Sequence, residues 1–134
     1  MTSSVYNVAF DCAQAFDTAQ FWSKVLGHPL NEDDEPGDPV AVIKLPSGLH
    51  LYFADVSEPK TVKNRVHLCL QPDGPRDAEV ERLAGLGAKV LDDRRKPDGT
   101  GWVVFADPEG SEFCVLRSAE ERAATQDADA MPHA

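Results

Sequence analysis

A histidine two residues ahead of a cysteine, His67 and Cys69 in KNRVHLCLQP, pairs two groups that bind metals. Imidazole also titrates near neutrality, so His67 has three readings: metal ligand, general base, or half-buried residue satisfied by a hydrogen bond. Cys114, in EFCVL, is a second candidate thiol. A thiol reacts as the thiolate, which needs an electropositive neighbour, and in an acidic chain Cys69 and Cys114 read first as small buried fillers. His50 and Tyr52 alternate in LHLYFA, and Trp102 opens WVVFA after PDGTG. Phenol and indole together could wall a site for a planar ligand. No G-x-S-x-G, phosphate-binding glycine loop or H-E-x-x-H occurs, so hydrolase, nucleotide-binding and zincin chemistry find no support.

The bulk properties narrow the partners. The chain has 134 residues, 42% apolar and 27% charged, enough for one domain with a core of its own. Its net charge of -10 repels phosphate backbones and anionic lipid, which argues against nucleic-acid and membrane-surface roles. Neither a membrane-length apolar run nor an export leader is read in it, so the expectation is a cytoplasmic protein with reduced thiols. Cys12, Cys69 and Cys114 are odd in number and lack a CxxC pair, which disfavours a disulfide framework or zinc ribbon. The acidic stretch NEDDEPGDP is expected to be a solvated loop, with short-range attraction for a cation as the sharper alternative.

The elements that must position these residues repeat. VYNVAFDC alternates as a strand; Ala15, Ala19, Trp22 and Leu26 form one helical stripe over about 15–26, and Gly27 suits a left-handed cap. A weak strand near HPL, then VAVIKL and LHLYFA around a PSG turn, complete a first module of about 4–54. The second, about 64–117, runs RVHLCL, a helix from about Pro75 to Leu86, AKVL, WVVFA and EFCVL. Leu26 and Gly27 superpose on Leu86 and Gly87, and Pro46, Gly48 and Leu51 on Pro108, Gly110 and Phe113. Such self-similarity predicts two βαβββ copies in one α+β domain, residues 1–117, with 118–134 as a frayed or disordered tail.

Strand parity then places side chains. Val66, Leu68 and Leu70 should face the helix, leaving His67 and Cys69 on the other side; Phe10 goes inside opposite Asn7, Leu51 and Phe53 inside opposite Tyr52, Phe113 and Val115 inside opposite Cys114. Asn7, Tyr52, His67 and Cys114 hold equivalent positions in the repeat. If the modules pair about a pseudo-twofold axis, these four share one concave face.

Paired modules, FWSKVLG in the first helix and DPEGSEFCVL before the end resemble the vicinal oxygen chelate superfamily, in its glyoxalase-like, bleomycin-resistance-like branch, over about residues 4–117. The resemblance implies a curved mixed sheet with outer helices, a ligand cavity and a homodimer. In metal-using members the first and last strands of each module supply His, Gln or Glu ligands; the matching positions here are Asn7, Tyr52, His67 and Cys114. Three of the four depart from that pattern, so the expectation is no metal and no cofactor. A soft zinc set of His67, Cys69 and Cys114 is the atypical alternative, opposed by the closeness of His67 and Cys69 on one strand. The expected function is metal-independent binding of a small, partly aromatic molecule, by sequestration of an antibiotic or natural product. Ligand contacts are expected from Asn7, His50, Tyr52, His67, Cys69, Trp102 and Cys114. The rival is a lyase, isomerase or dioxygenase with His67 as base; the enzyme question stays open, leaning to a binding protein.

Overall fold

A computed structural model describes residues 1–124. The chain is α+β and divides into two compact units, Met1–Lys60 and Thr61–Ala134. The first contains β1 (Asn7–Cys12), α1 (Ala15–Leu26), β2 (Val40–Lys44) and β3 (His50–Asp55). The second contains β4 (Leu68–Leu70), α2 (Arg76–Gly85), β5 (Lys89–Asp93), β6 (Val103–Ala106), β7 (Glu112–Val115) and α3 (Ala119–Ala123).

Each unit has its own mixed sheet, ordered β1-β3-β2 in the first and β4-β7-β6-β5 in the second. In both, the first strand lies parallel to the last, and the preceding hairpin strand lies antiparallel on its far side. The repeat read from the sequence is therefore a repeat of strand pairing. The stretch near HPL contributes only an isolated bridge from Leu30 to Ile43, whereas AKVL in the second unit forms the full strand β5. Both final hairpins turn alike: Gly48 N–H donates to Leu45 O and Gly110 N–H to Asp107 O, each at 2.9 Å, with φ of 95° and 88°. Positive φ costs glycine nothing, which is why this residue recurs at the two turns.

In the first unit α1 packs against the sheet through Ala15, Phe16, Ala19, Phe21, Trp22 and Val25, all buried; Leu26, expected in the stripe, is half-buried and Val25 takes the inward place. Phe10 stacks on Phe53 at 4.8 Å and meets Trp22 at 5.7 Å. The left-handed cap is at Gly27, φ 72°. Asp55, at the end of β3, accepts the first helical N–H, from Ala15, at 2.7 Å, supplying a cap that Gln14 does not.

In the second unit Phe105 stacks on Phe113 at 5.5 Å, and β6 is buried along its whole length. β5 is exposed throughout, and a register shift between Val90 and Asp92 interrupts its alternation. Two packing expectations fail here. Val66 is 79% exposed, and Leu68 and Leu70 are only half-buried. The cause is the shortness of β4: it pairs with β7 only from Leu68, and before that the Glu112 carboxylate accepts the Asn64 N–H at 3.3 Å, a side-chain tie in place of a ladder bond.

Arg76 has no counterpart in the sequence reading. It is 5% exposed, and its Nη1 donates to the carbonyls of Gly99, Thr100 and Gly101 at 3.3, 3.0 and 3.1 Å. The tail also starts as structure: Ser118 and Glu121 form a reciprocal capping box on α3, and Glu121 Oε1 accepts the Arg76 N–H at 2.8 Å. Burial raises the Glu121 pKa, but the N–H groups of Ser118 and Arg76 outweigh it and leave the carboxyl below its ordinary value. The rest of the proposed tail, residues 125–134, lies outside the described residues.

Two stability outcomes are expected in urea unfolding. Phe53→Ala, at a site with no exposure, should cost about 3–5 kcal/mol. Arg76→Met keeps the stem but removes three charge-assisted hydrogen bonds to the 99–101 loop, and should cost about 2–3 kcal/mol; a loss below about 0.5 kcal/mol would mean the loop is held by other contacts, such as the Lys96 N–H on Thr100 O.

Candidate functional site

Two groups of the expected ligand residues occupy separate units. In the first unit the β1–β3 register sets Asn7 beside His50 and Ala9 beside Tyr52, and β2 sets Lys44 beside His50 and Val42 beside Tyr52. Ala41, Ile43, Leu51 and Phe53 are buried; their strand neighbours point the other way, with Asn7 exposed and His50 and Tyr52 half-buried. The Tyr6 ring stands 5.0 Å from that of His50 at 58°. This makes a polar and aromatic face on the side of the sheet opposite α1.

In the second unit Cys69 on β4 lies directly opposite Cys114 on β7, which in turn lies opposite Val104 on β6. His67, one residue before β4, keeps the parity of Cys69. The imidazole of His67 and the two sulfurs lie within 4.8 Å of one another. His67 is half-buried, Cys69 exposed and Cys114 fully buried, so the reading of every thiol as buried is corrected at Cys69. That sulfur sits on β4, the edge strand of its sheet among the described residues.

The surroundings raise both thiols above the ordinary cysteine value. Burial raises the Cys69 pKa, a hydrogen bond with Cys114 opposing it. Burial and then the Cys69 sulfur push the Cys114 thiol up to about 11, with the positive charges of Arg94 and Lys63 pulling it down. These are poor nucleophiles.

Trp102 sits just before β6. The Arg94 guanidinium lies over its ring at 5.7 Å, and Arg94 N–H donates to Trp102 O at 2.9 Å. Arg94, Lys63 and Glu112 were missed by sequence reasoning; Glu112 alone left a signal, since it keeps the parity of Cys114 two residues on. A cleft of about 400 Å³ opens elsewhere in the first unit, at the start of α1, lined by Gln14, Asp17, Pro36, Gly37, Asp38 and Asp55 among others. Part of the acidic loop thus borders a cleft, although Asp55 and Asp38 already accept the N–H groups of Ala15 and Glu35.

Residues 7–116 match the family model described as a glyoxalase-like domain. This chain belongs to that family. Solved structures with the same vicinal oxygen chelate fold include the fosfomycin resistance protein FosX from Mesorhizobium loti, at TM-score 0.64 and 17% identity, covering 93% of this chain and all of that one. A glyoxalase/bleomycin resistance/dioxygenase family enzyme from Burkholderia phytofirmans gives 0.64 and 14%, over 84% and 97% of the two chains. Lactoylglutathione lyase from Agrobacterium tumefaciens gives 0.58 and 18%, over 86% and 93%. No curated protein sequence matches. At these identities the likeness concerns the fold.

Catalytic divalent ions with open coordination positions are held mainly by imidazole and carboxylate. This domain has an amide, a phenol, an imidazole and a thiol at Asn7, Tyr52, His67 and Cys114, and the thiol is buried and protonated. That donor set does not fit a hard ion. Among the described residues no helix is long and apolar enough to cross a membrane.

Thiol labelling checks the arrangement around the cysteines. Native protein treated with a maleimide should modify Cys69 first, with Cys12 and Cys114 protected until denaturant is added; early modification of Cys114 would contradict its burial.

Proposed function

We propose that this glyoxalase-like domain binds a small, partly aromatic molecule and that this binding is independent of metal. Sequestration of an antibiotic or natural product in the cytoplasm is the biological form of this reading. The observation that carries it is the face of the first sheet opposite α1, where Asn7, His50 and Tyr52 offer amide, imidazole and phenol groups beside the Tyr6 ring. Such a face supplies flat apolar contact with a few directional polar groups, the mixture that small-molecule sites use. Trp102, with Arg94 over its ring, adds a second aromatic surface in the other unit. The resistance protein among the structural relatives is consistent with this use of the fold. A homodimer belongs to the proposal, supported by the exposed apolar side chains of Val90 and Leu91 on β5.

A second reading, a lyase, isomerase or dioxygenase with His67 as base, is favoured by one observation: His67 lies beside two thiols in a cluster of potential ligands. If turnover of an identified substrate survived His67→Ala unchanged, His67 would leave the mechanism.

Titration of the protein with a panel of aromatic natural products should give saturable quenching of tryptophan fluorescence for at least one compound. Tyr52→Ala should weaken that compound's binding by about tenfold, on the order of 1.4 kcal/mol. A panel without any saturable response would set the binding reading aside.

A further inference from the structure

We infer that His67, Cys69 and Cys114 form a site for a thiophilic divalent ion, zinc in the first instance, with a coordination position left open for water or another exogenous ligand. The inference goes beyond the small-molecule reading and does not rest on it. It also differs from the family's chelate: the three donors lie within one unit, and Cys69 has no place in the family's ligand pattern.

The backbone brings the donors together. A two-residue spacing places His67 and Cys69 on the same side, and the parallel register puts Cys114 opposite Cys69 on the neighbouring strand. Their closeness along the chain, counted against them from sequence, is what supplies two ligands from one strand. All three donor atoms fall within 4.8 Å of one another. Around a tetrahedral zinc, with bonds of about 2.3 Å to sulfur and 2.0 Å to nitrogen, donors stand roughly 3.5–3.8 Å apart, so a closure of about 1 Å suffices. Cys69 is exposed and His67 half-buried, which leaves an approach for the ion.

Donor chemistry selects the ion. Two sulfurs and one imidazole suit soft and borderline metals and disfavour magnesium, calcium and manganese. Three protein ligands are one short of a closed structural zinc site and match the open kind, in which a fourth position takes water or substrate. Binding displaces the two thiol protons to solvent, so uptake strengthens as pH rises, and the ion with two thiolates makes a neutral unit.

The test uses the full chain, fully reduced and handled without oxygen. After incubation with zinc and desalting, native mass spectrometry should show one ion retained per chain. Cobalt(II) should give the intense near-ultraviolet thiolate charge-transfer band, and azide should shift the cobalt spectrum. Cys69→Ser, at an exposed position, should abolish the two-thiolate intensity and lower zinc affinity at least tenfold. Cys12→Ala should bind like the parent chain. No retained zinc and no charge-transfer band, or zinc held as tightly by Cys69→Ser as by the parent, would overturn the site; a cobalt spectrum indifferent to azide would overturn the open position. Natural-product quenching is read separately, so either conclusion can fail while the other stands.

Discussion

Parallel pairing between the first and last strands of each module is the constraint on which the remaining arrangement depends. Parallel neighbours cannot be joined by a tight turn, so each module needs its crossover helix, and in the first unit that helix, α1, packs on one face of the sheet. A slip of one residue would exchange the inward and outward sets, bringing Leu68 to the place of Cys69. In the first unit six residue pairs hold the register, from Asn7 with His50 to Cys12 with Asp55. The second unit has only three such pairs, and it secures them at both ends: Asn64 N–H on the Glu112 carboxylate before β4, and Leu116 N–H on Leu70 O, at 2.8 Å, after it. The positions of His67, Cys69 and Cys114 follow from those ties.

Much of this was legible in the sequence, because it depends on local periodicity. The bounds of α1, the glycine after it and the matched turns at Gly48 and Gly110 all reflect spacing and backbone freedom that a single segment displays. The outward set on β3 followed from alternation alone. What escaped were features decided by distant partners. RVHLCL has strand composition throughout, yet only Leu68–Leu70 finds a neighbour to pair with. Arg76 looks like an ordinary charged residue at a helix start; its burial depends on three carbonyls more than 20 positions later, whose orientation no local pattern announces.

Charge is distributed against the average. A chain of net charge -10 nevertheless sets Arg94 over Trp102 and brings Arg94 and Lys63 within electrostatic reach of Cys114. Basic residues are also paired locally: Arg94 binds Asp92 at 2.7 Å, and Arg95 binds Asp93 at 2.6 Å and Asp77 at 3.1 Å, holding the Asp93 carboxyl down to about 2. That pairing keeps its stabilising effect above the ordinary carboxylate range and loses it as pH falls toward 2. Being largely exposed, it contributes less than about 1 kcal/mol.

The reach of Glu121 back to the Arg76 N–H has a consequence for how the protein is made. α2 receives no side-chain cap from its own sequence; Pro75 stands at the cap position, and the acceptor arrives 45 residues later. On a ribosome the start of that helix must wait, its N–H solvated, until the chain beyond Glu121 has emerged. The first module suffers the same delay in a shorter form, since Ala15 waits 40 residues for Asp55. α1 and α2 are thus each completed by the last described element of their own half, which ties the order of synthesis to the order in which the two halves can become stable.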